Sequence, residues 1–163
     1  GAVGINIEDG AKSPALLAEK IARIRSALSS TSRFVNARTD VFLRGLAPAG
    51  SAVAMTIERL ALYRDSGTDG VFVPGLASTD DAHAVSAAIT LPLNVMIVPN
   101  LPGATLLYAA GVRRISAGPA PFRVAYDSAC NAVDSFLKGD FAPLGQSRLD
   151  FKTLNAVFSE HAI

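Results

Sequence analysis

Two short segments of this sequence hold residue types that could act together. Glu8-Asp9 closes the apolar run from Ala2 to Glu8, and Asn36-Ala37-Arg38-Thr39-Asp40 closes the run from Arg33 into Arg38. Carboxylates suit Mg²⁺, which prefers hard oxygen ligands and keeps several waters. An arginine suits a planar carboxylate or a phosphonate through paired hydrogen bonds. Both together could bind a small oxyanionic substrate beside a metal and stabilise negative charge on an enolate. Simpler roles compete with this one. Asp9 could cap the following helix, and Asp40 could merely hold its loop or pair with Arg38. Arg38 is harder to set aside, because an unpaired guanidinium within an apolar strand is costly.

The elements that must position these residues can be read from periodicity. Ala2 to Glu8 is predicted as a strand. Pro14 to Leu28 is predicted as a helix, with Leu17, Ile21, Ile24 and Leu28 at helical spacing behind a Ser13-Pro14 start. Arg33 to Arg38 is a second strand, and Val53 to Ser66 a helix closed by Gly67. Gly70 to Val73, Leu93 to Val98 and Arg113 to Ala117 read as further strands. Thr79 to Ala88, Leu101 to Ala110, Pro121 to Lys138 and a last segment from about Asp150 to His161 read as helices. The strands look apolar almost throughout, as expected when both faces of a parallel sheet are covered. Five βα units could form an open doubly wound sheet or the later part of an eight-stranded barrel. No G-x-G-x-x-G or G-x-x-x-x-G-K-[ST] turn follows Glu8-Asp9-Gly10, which counts against a nucleotide-binding open sheet.

In such folds the C-terminal strand ends hold the site. Besides the two acidic and basic segments, those ends carry Pro74-Gly75, Pro99-Asn100 and Ser116-Ala117-Gly118. Lys12 could reach in from the first βα loop, although an exposed loop lysine is the default. His83 and His161 fall on helices away from that rim, and Cys130 reads as a core filler in mid-helix.

Composition excludes several classes. Of 163 residues, 50% are hydrophobic and 18% charged, which is globular and not disordered. Fifteen basic residues face fourteen acidic ones, for a net charge of +1, with no basic block to favour nucleic acid or an anionic membrane. No apolar run approaches the ~20 residues that cross a bilayer. The single cysteine permits no intrachain disulfide and fits a reducing, cytoplasmic setting.

The sequence resembles the isocitrate lyase/phosphoenolpyruvate mutase superfamily, nearest its phosphoenolpyruvate mutase-like branch. Gly4-Ile5-Asn6-Ile7-Glu8-Asp9 is similar to the strand-four motif of that family, and Asn36-Ala37-Arg38-Thr39-Asp40 to its strand-five "ARTD" motif. Gly67 to Gly75, Pro92-Leu93-Asn94-Val95, Gly111 to Ser116 and Arg123 also fit. The resemblance implies a (β/α)₈ barrel, of which this chain supplies about the last five βα units and a C-terminal helix, residues 1–163 being part of one barrel domain. It implies Mg²⁺-dependent cleavage or rearrangement of a C–C or P–C bond in a small oxo- or hydroxy-acid. On this reading Glu8 belongs to the metal shell, Arg38 binds the substrate carboxylate or phosphonate and is catalytic, and Asn100 and Arg123 line the site. The family's other metal-shell aspartates precede this first strand, so the chain is expected to be part of a longer molecule. Unpaired sheet edges would make the isolated chain poorly soluble. The family's lyases carry Lys-Arg-Cys-Gly-His after strand four and a glutamate after strand six. Here Gly10-Ala11-Lys12-Ser13-Pro14 and Pro74-Gly75 stand there, which argues against isocitrate or methylisocitrate cleavage. A homo-oligomer is expected, with Phe151, Leu154, Val157 and Phe158 as an apolar stripe on an exchanged helix or, equally, covering its own barrel. An inactive remnant serving as a binding or assembly module is the alternative function.

Overall fold

Successive side chains of a strand point to opposite faces, so a period-two pattern divides a sheet into a wet and a dry side. The sequence Phe34-Val35-Asn36-Ala37-Arg38 has that pattern, and so does Gly4-Ile5-Asn6-Ile7-Glu8. The computed structural model describes residues 1–28, 33–146 and 149–159. Its strands are β1 (Gly4–Glu8), β2 (Phe34–Arg38), β3 (Gly70–Phe72), β4 (Leu93–Met96) and β5 (Val112–Ser116). The helices between them are α1 (Pro14–Ala27), α2 (Val41–Arg44), α3 (Ala52–Asp65), α4 (Thr79–Ile89) and α5 (Ala104–Ala109). After them come α6 (Ala120–Leu137), a 3₁₀ turn (Pro143–Gln146) and α7 (Phe151–Ser159).

The strands pair in parallel in the order β1-β2-β3-β4-β5, each beside its predecessor in the chain. A doubly wound sheet would reverse direction partway. This unreversed order is that of a barrel wall, and the fold is a partial (β/α)₈ barrel. Val35, Ala37, Val71, Val73, Leu93 and Val95 project from one side of the sheet. They form a single core with Leu17 and Ile21 of α1, Leu60 and Tyr63 of α3, Val85 and Ile89 of α4, and Leu107 of α5. All these helices therefore cover one face. Fully burying one such aliphatic side chain contributes about 1.5–3 kcal/mol.

The opposite face corrects the expectation of strands apolar on both sides. The register sets Asn6 beside Asn36 and Gly70, and Glu8 beside Arg38 and Phe72. Phe72 in turn adjoins Asn94, and Asn94 adjoins Arg114. This inner face is polar and internally bonded. Asn36 donates to Asn6 at 2.8 Å, and Asn94 donates to the Ser116 hydroxyl at 3.1 Å. With Val35, Ala37, Val71, Leu93 and Val95 on the helix-covered face, the sheet holds its core on one side and presents mainly polar residues, Phe72 excepted, on the other.

At the opposite end of the strands, Arg25 of α1 fixes the turn before β3. It donates to the Arg33 carbonyl at 3.0 Å and also bonds the Gly67 carbonyl and the Asp69 carboxylate. Asp69 accepts from the Val35 amide at 2.7 Å. This set seals the base of the sheet, where it serves stability.

Residues Gly1–Gly118 form one compact unit and Pro119–Ile163 a second. In the second unit no residue of α6 is buried. Cys130 is exposed there, not a core filler, because what packs on α6 within this unit is the short Pro143–Gln146 turn. Aromatic pairs Phe122–Tyr126 and Phe136–Phe141 have ring centroids 4.4 Å and 5.7 Å apart. Phe151, Leu154 and Val157 of α7 are exposed. The side chain of Phe158 and the whole of His161 lie outside the described residues.

Two substitutions in α3 separate packing from polarity. Leu60 is fully buried, and Leu60→Ala is expected to lower unfolding free energy by about 2–5 kcal/mol. The hydroxyl of Thr56 is buried without a hydrogen-bond partner among the described residues, so Thr56→Val is expected to leave stability unchanged or raise it. Denaturant unfolding of both variants checks the pair.

Candidate active site

The rim at the strand C-termini is organised by two buried carboxylates. Asp9 follows β1 and is 3% exposed. It accepts from the Thr39 hydroxyl at 2.8 Å, the Asp40 amide at 3.0 Å, Arg59 Nη1 at 2.9 Å and the Tyr63 hydroxyl at 2.6 Å. Its role is thus not that of a helix cap; Ser13 occupies the N-cap position of α1. Burial, and then the neighbouring Asp9 carboxylate, push the Tyr63 hydroxyl well above its ordinary range, so it stays protonated and donates. Arg59 and Tyr63 sit four apart on α3, one turn over the next, and both reach the same oxygen. Sequence alone did not reveal either partner, since the two lie ~50 residues from Asp9 and are joined to it by the fold alone.

Asp40, immediately beyond β2, is fully buried. One carboxylate oxygen accepts from Arg38 Nε at 2.7 Å and the other from Arg44 Nε at 2.8 Å. Burial pushes its pKa up, but hydrogen bonds and charge from Arg38 and Arg44 outweigh that and hold it below the ordinary value of 3.8. The pairing of Asp40 with Arg38 was one of the two readings available from the sequence. Its pairing with Arg44 rests on α2, a one-turn helix that periodicity was too short to show.

Arg38 is held on three sides. Its Nε bonds Asp40, its Nη1 meets Glu8 Oε2 at 3.0 Å, and its guanidinium carbon lies 5.6 Å from the Phe72 ring centroid. The strand register places all three where Arg38 needs them, because Glu8 and Phe72 are its direct neighbours on β1 and β3. Glu8 remains half-exposed, and its pair with Arg38 is of the partly solvated kind that contributes about 0–1 kcal/mol. It can open at little cost. Arg38 and Asp40 are held far more tightly.

The structure therefore brings Glu8 and Arg38 together. Asn100 follows β4 at the same end of the sheet, in a left-handed turn with φ of 62°, and is exposed. Arg123 is exposed on α6 in the second unit. Lys12 lines a small cleft with Glu8 and Asp9. His83 is exposed on α4.

Among the described residues, no group of three or more His, Cys, Asp or Glu side chains is arranged to hold a metal. Asp9 and Asp40 are saturated by their donors. Glu8 alone of the rim carboxylates is solvent-accessible and weakly paired, which fits one ligand of a Mg²⁺ shell completed by water and substrate oxygens. No helix among the described residues is long and apolar enough to cross a membrane.

The family profile of phosphoenolpyruvate phosphomutase matches residues 1–137. The chain is 37% identical over 145 residues to an uncharacterized protein of Mycobacterium tuberculosis, covering 86% of this chain and 54% of that protein. It is 33% identical over 158 residues to an oxaloacetate decarboxylase of a Bradyrhizobium species, covering 88% and 52%. A crystal structure designated a lyase/mutase of Burkholderia cenocepacia superposes with a TM-score of 0.86 at 29% identity, covering 98% of this chain and 60% of that one. Phosphonopyruvate hydrolase crystallised with oxalate and Mg²⁺ shares the fold, with a TM-score of 0.75 at 18% identity and coverage of 98% and 60%. The chain thus spans about half the length of the curated relatives it matches.

Two measurements test the carboxylate framework. Asp9→Asn removes the countercharge of Arg59, whose side chain is 15% exposed, and is expected to destabilise the fold by about 3 kcal/mol in thermal or denaturant unfolding. Because the folded-state pKa of Asp40 lies below its unfolded value, its ionic contribution is present above that unfolded value, near pH 4, and is lost as pH falls through the folded pKa. Stability should therefore decline below about pH 4, and Asp40→Asn should flatten that decline while lowering stability at neutral pH.

Proposed function

The chain belongs to the phosphoenolpyruvate phosphomutase family, and from that premise we propose that its rim is part of a Mg²⁺-dependent site. That site cleaves or rearranges a C–C or P–C bond in a small 2-oxo or 2-hydroxy carboxylic acid through an enolate. The observation that carries this reading is the Glu8–Arg38 pair on adjacent strand ends, with Arg38 pre-set by buried Asp40.

Arginine has five N–H donors. Here Nε is committed to Asp40 and one Nη1 hydrogen to Glu8, and the side chain is 23% exposed. The remaining donors are available to a carboxylate or phosphonate of the substrate. When the bond beside the carbonyl breaks, its electron pair passes onto the carbon next to the 2-oxo group and spreads to the oxygen. A fixed guanidinium near that charge stabilises it without having to reorganise, because Asp40 and Phe72 already fix its plane. Bound Mg²⁺ would polarise the 2-oxo group and its carboxylate. Glu8 is the residue proposed to hold it, directly or through water. Substrate entry would separate Glu8 from Arg38, each exchanging a weak mutual contact for a stronger partner. Asn100 is proposed to line the site, with a homo-oligomer as the working assembly.

The named relatives support this reading. The oxaloacetate decarboxylase is named for a 2-oxo dicarboxylate, and the phosphonopyruvate hydrolase structure holds oxalate, an enolate mimic, together with Mg²⁺.

Calorimetric titration with oxalate, with and without Mg²⁺, tests it. Binding is expected to need the metal. Arg38→Ala should weaken it by roughly ten- to hundredfold, the worth of hydrogen bonds to a charged group. Glu8→Gln should raise the Mg²⁺ concentration that oxalate binding needs and leave the fold intact. Oxalate binding that ignores both Mg²⁺ and Arg38 would sink the reading.

A further inference from the structure

Residues at the ends of β1 and β2 alternate between the two faces of the sheet. Glu8 and Arg38 meet on the open face. The residue after each is buried: the Thr39 hydroxyl donates to Asp9 Oδ2 at 2.8 Å, out of reach of water. The two strand ends are therefore joined by a solvated pair and by a dry one. Ligand binding as proposed above parts the solvated pair. What then holds the strand ends together is the dry pair, with the Asp9 amide on the Arg38 carbonyl at 3.2 Å.

The dry pair is anchored from α3. Asp9 Oδ2 also accepts from Arg59 Nη1 at 2.9 Å and from the Tyr63 hydroxyl at 2.6 Å. These two donors do different things. Arg59 offsets the charge, as a buried carboxylate requires. Tyr63 adds no charge. Its ring is fully buried in the core, where a phenylalanine ring would fill the same space. The hydroxyl is the part of this side chain that packing does not call for. It supplies direction: three donors on one oxygen, from the end of β2 and from two successive turns of α3, fix the plane of the Asp9 carboxylate. That plane sets where the Asp40 amide sits on Oδ1, and Asp40 in turn holds Arg38 Nε at 2.7 Å. Glu8 is the residue directly before Asp9. Tyr63 thus acts on both Glu8 and Arg38 through Asp9.

We propose that Tyr63 is a positioning residue of this site: its hydroxyl, by orienting Asp9, keeps Glu8 and Arg38 aligned once a ligand has taken the place of their mutual contact. This rests on the function proposed above and adds to it a residue of the helix layer that meets neither metal nor substrate. The role needs the hydroxyl and not the ring, so Tyr63→Phe isolates it.

The test compares Tyr63→Phe with Ile89→Val, which trims the core in α4 and shares no partner with Asp9. Two quantities are read in each: the calorimetric affinity for oxalate with Mg²⁺, and, without ligand, the exchange rate of the Arg38 Nε proton by NMR. In Tyr63→Phe the affinity is expected to fall roughly three- to tenfold, the worth of one hydrogen bond, and the Nε proton to exchange about tenfold faster. In Ile89→Val both should stay within about twofold of wild type, although its melting temperature also falls. Equal losses in the two variants would make Tyr63 a residue of general stability and overturn the proposal. Unchanged affinity in Tyr63→Phe, or a loss with no change at the Nε proton, would overturn it too. If the wild-type chain binds no oxalate with Mg²⁺, the proposed function falls and the Nε proton alone decides the role of Tyr63: selectively faster exchange in Tyr63→Phe supports it, and unchanged exchange overturns it.

Discussion

A carboxylate without access to water must find a donor for nearly every lone pair, and the rest of the rim follows from how Asp9 does so. Its donors come from the end of β2, from the backbone of the next residue and from two consecutive turns of α3. Those contacts join β1, β2 and α3 at a single point. The amide of Asp40 is one of them, so the position of Asp40 depends on Asp9, and the orientation of Arg38 depends on Asp40. Tyr63 belongs equally to the hydrophobic core and to this network, its ring buried among aliphatic side chains and its hydroxyl on Asp9. Core packing and site geometry are coupled through that residue, and slackness in the helix layer would be felt at the guanidinium of Arg38.

The rim thus contains two kinds of ion pair with different work. Arg59–Asp9 and Arg38–Asp40 have a fully buried carboxylate and fix geometry. Glu8–Arg38 is partly solvated and can part. A ligand arriving between Glu8 and Arg38 meets groups already oriented, and the cost of separating them is small beside that of disturbing either buried pair. Preorganisation and accessibility, which usually oppose each other, are here assigned to different carboxylates.

Much of this was legible in the sequence. The βα alternation, the helix starting at Pro14 and the convergence of Glu8 with Arg38 follow from periodicity, from a first-turn proline and from strand ends sharing one rim. What escaped did so for physical reasons. Helix α2 spans a single turn, too short to show a period, and Arg44 stayed hidden with it. Arg59 and Tyr63 looked like ordinary members of an amphipathic helix, because nothing in their own neighbourhood shows what a distant loop places over them. Valines and isoleucines dominate the strands by count and so suggest strands apolar throughout. The alternating asparagines, which mark the second face, carry the same information in fewer residues. The apolar neighbours of Cys130 suggest a core position, whereas α6 is amphipathic without a covering layer in its own unit.

The division of the strands into two faces has an evolutionary consequence. Val35, Ala37, Val71 and Val73 answer to the helices, while Asn36, Arg38, Phe72 and Asn94, alternating with or adjoining them, answer to the open side. Neighbouring positions along the same strand therefore answer to different physical constraints. An inward residue can be exchanged without opening a void among the helices, so the character of the open face can change through single substitutions that the folding core does not register.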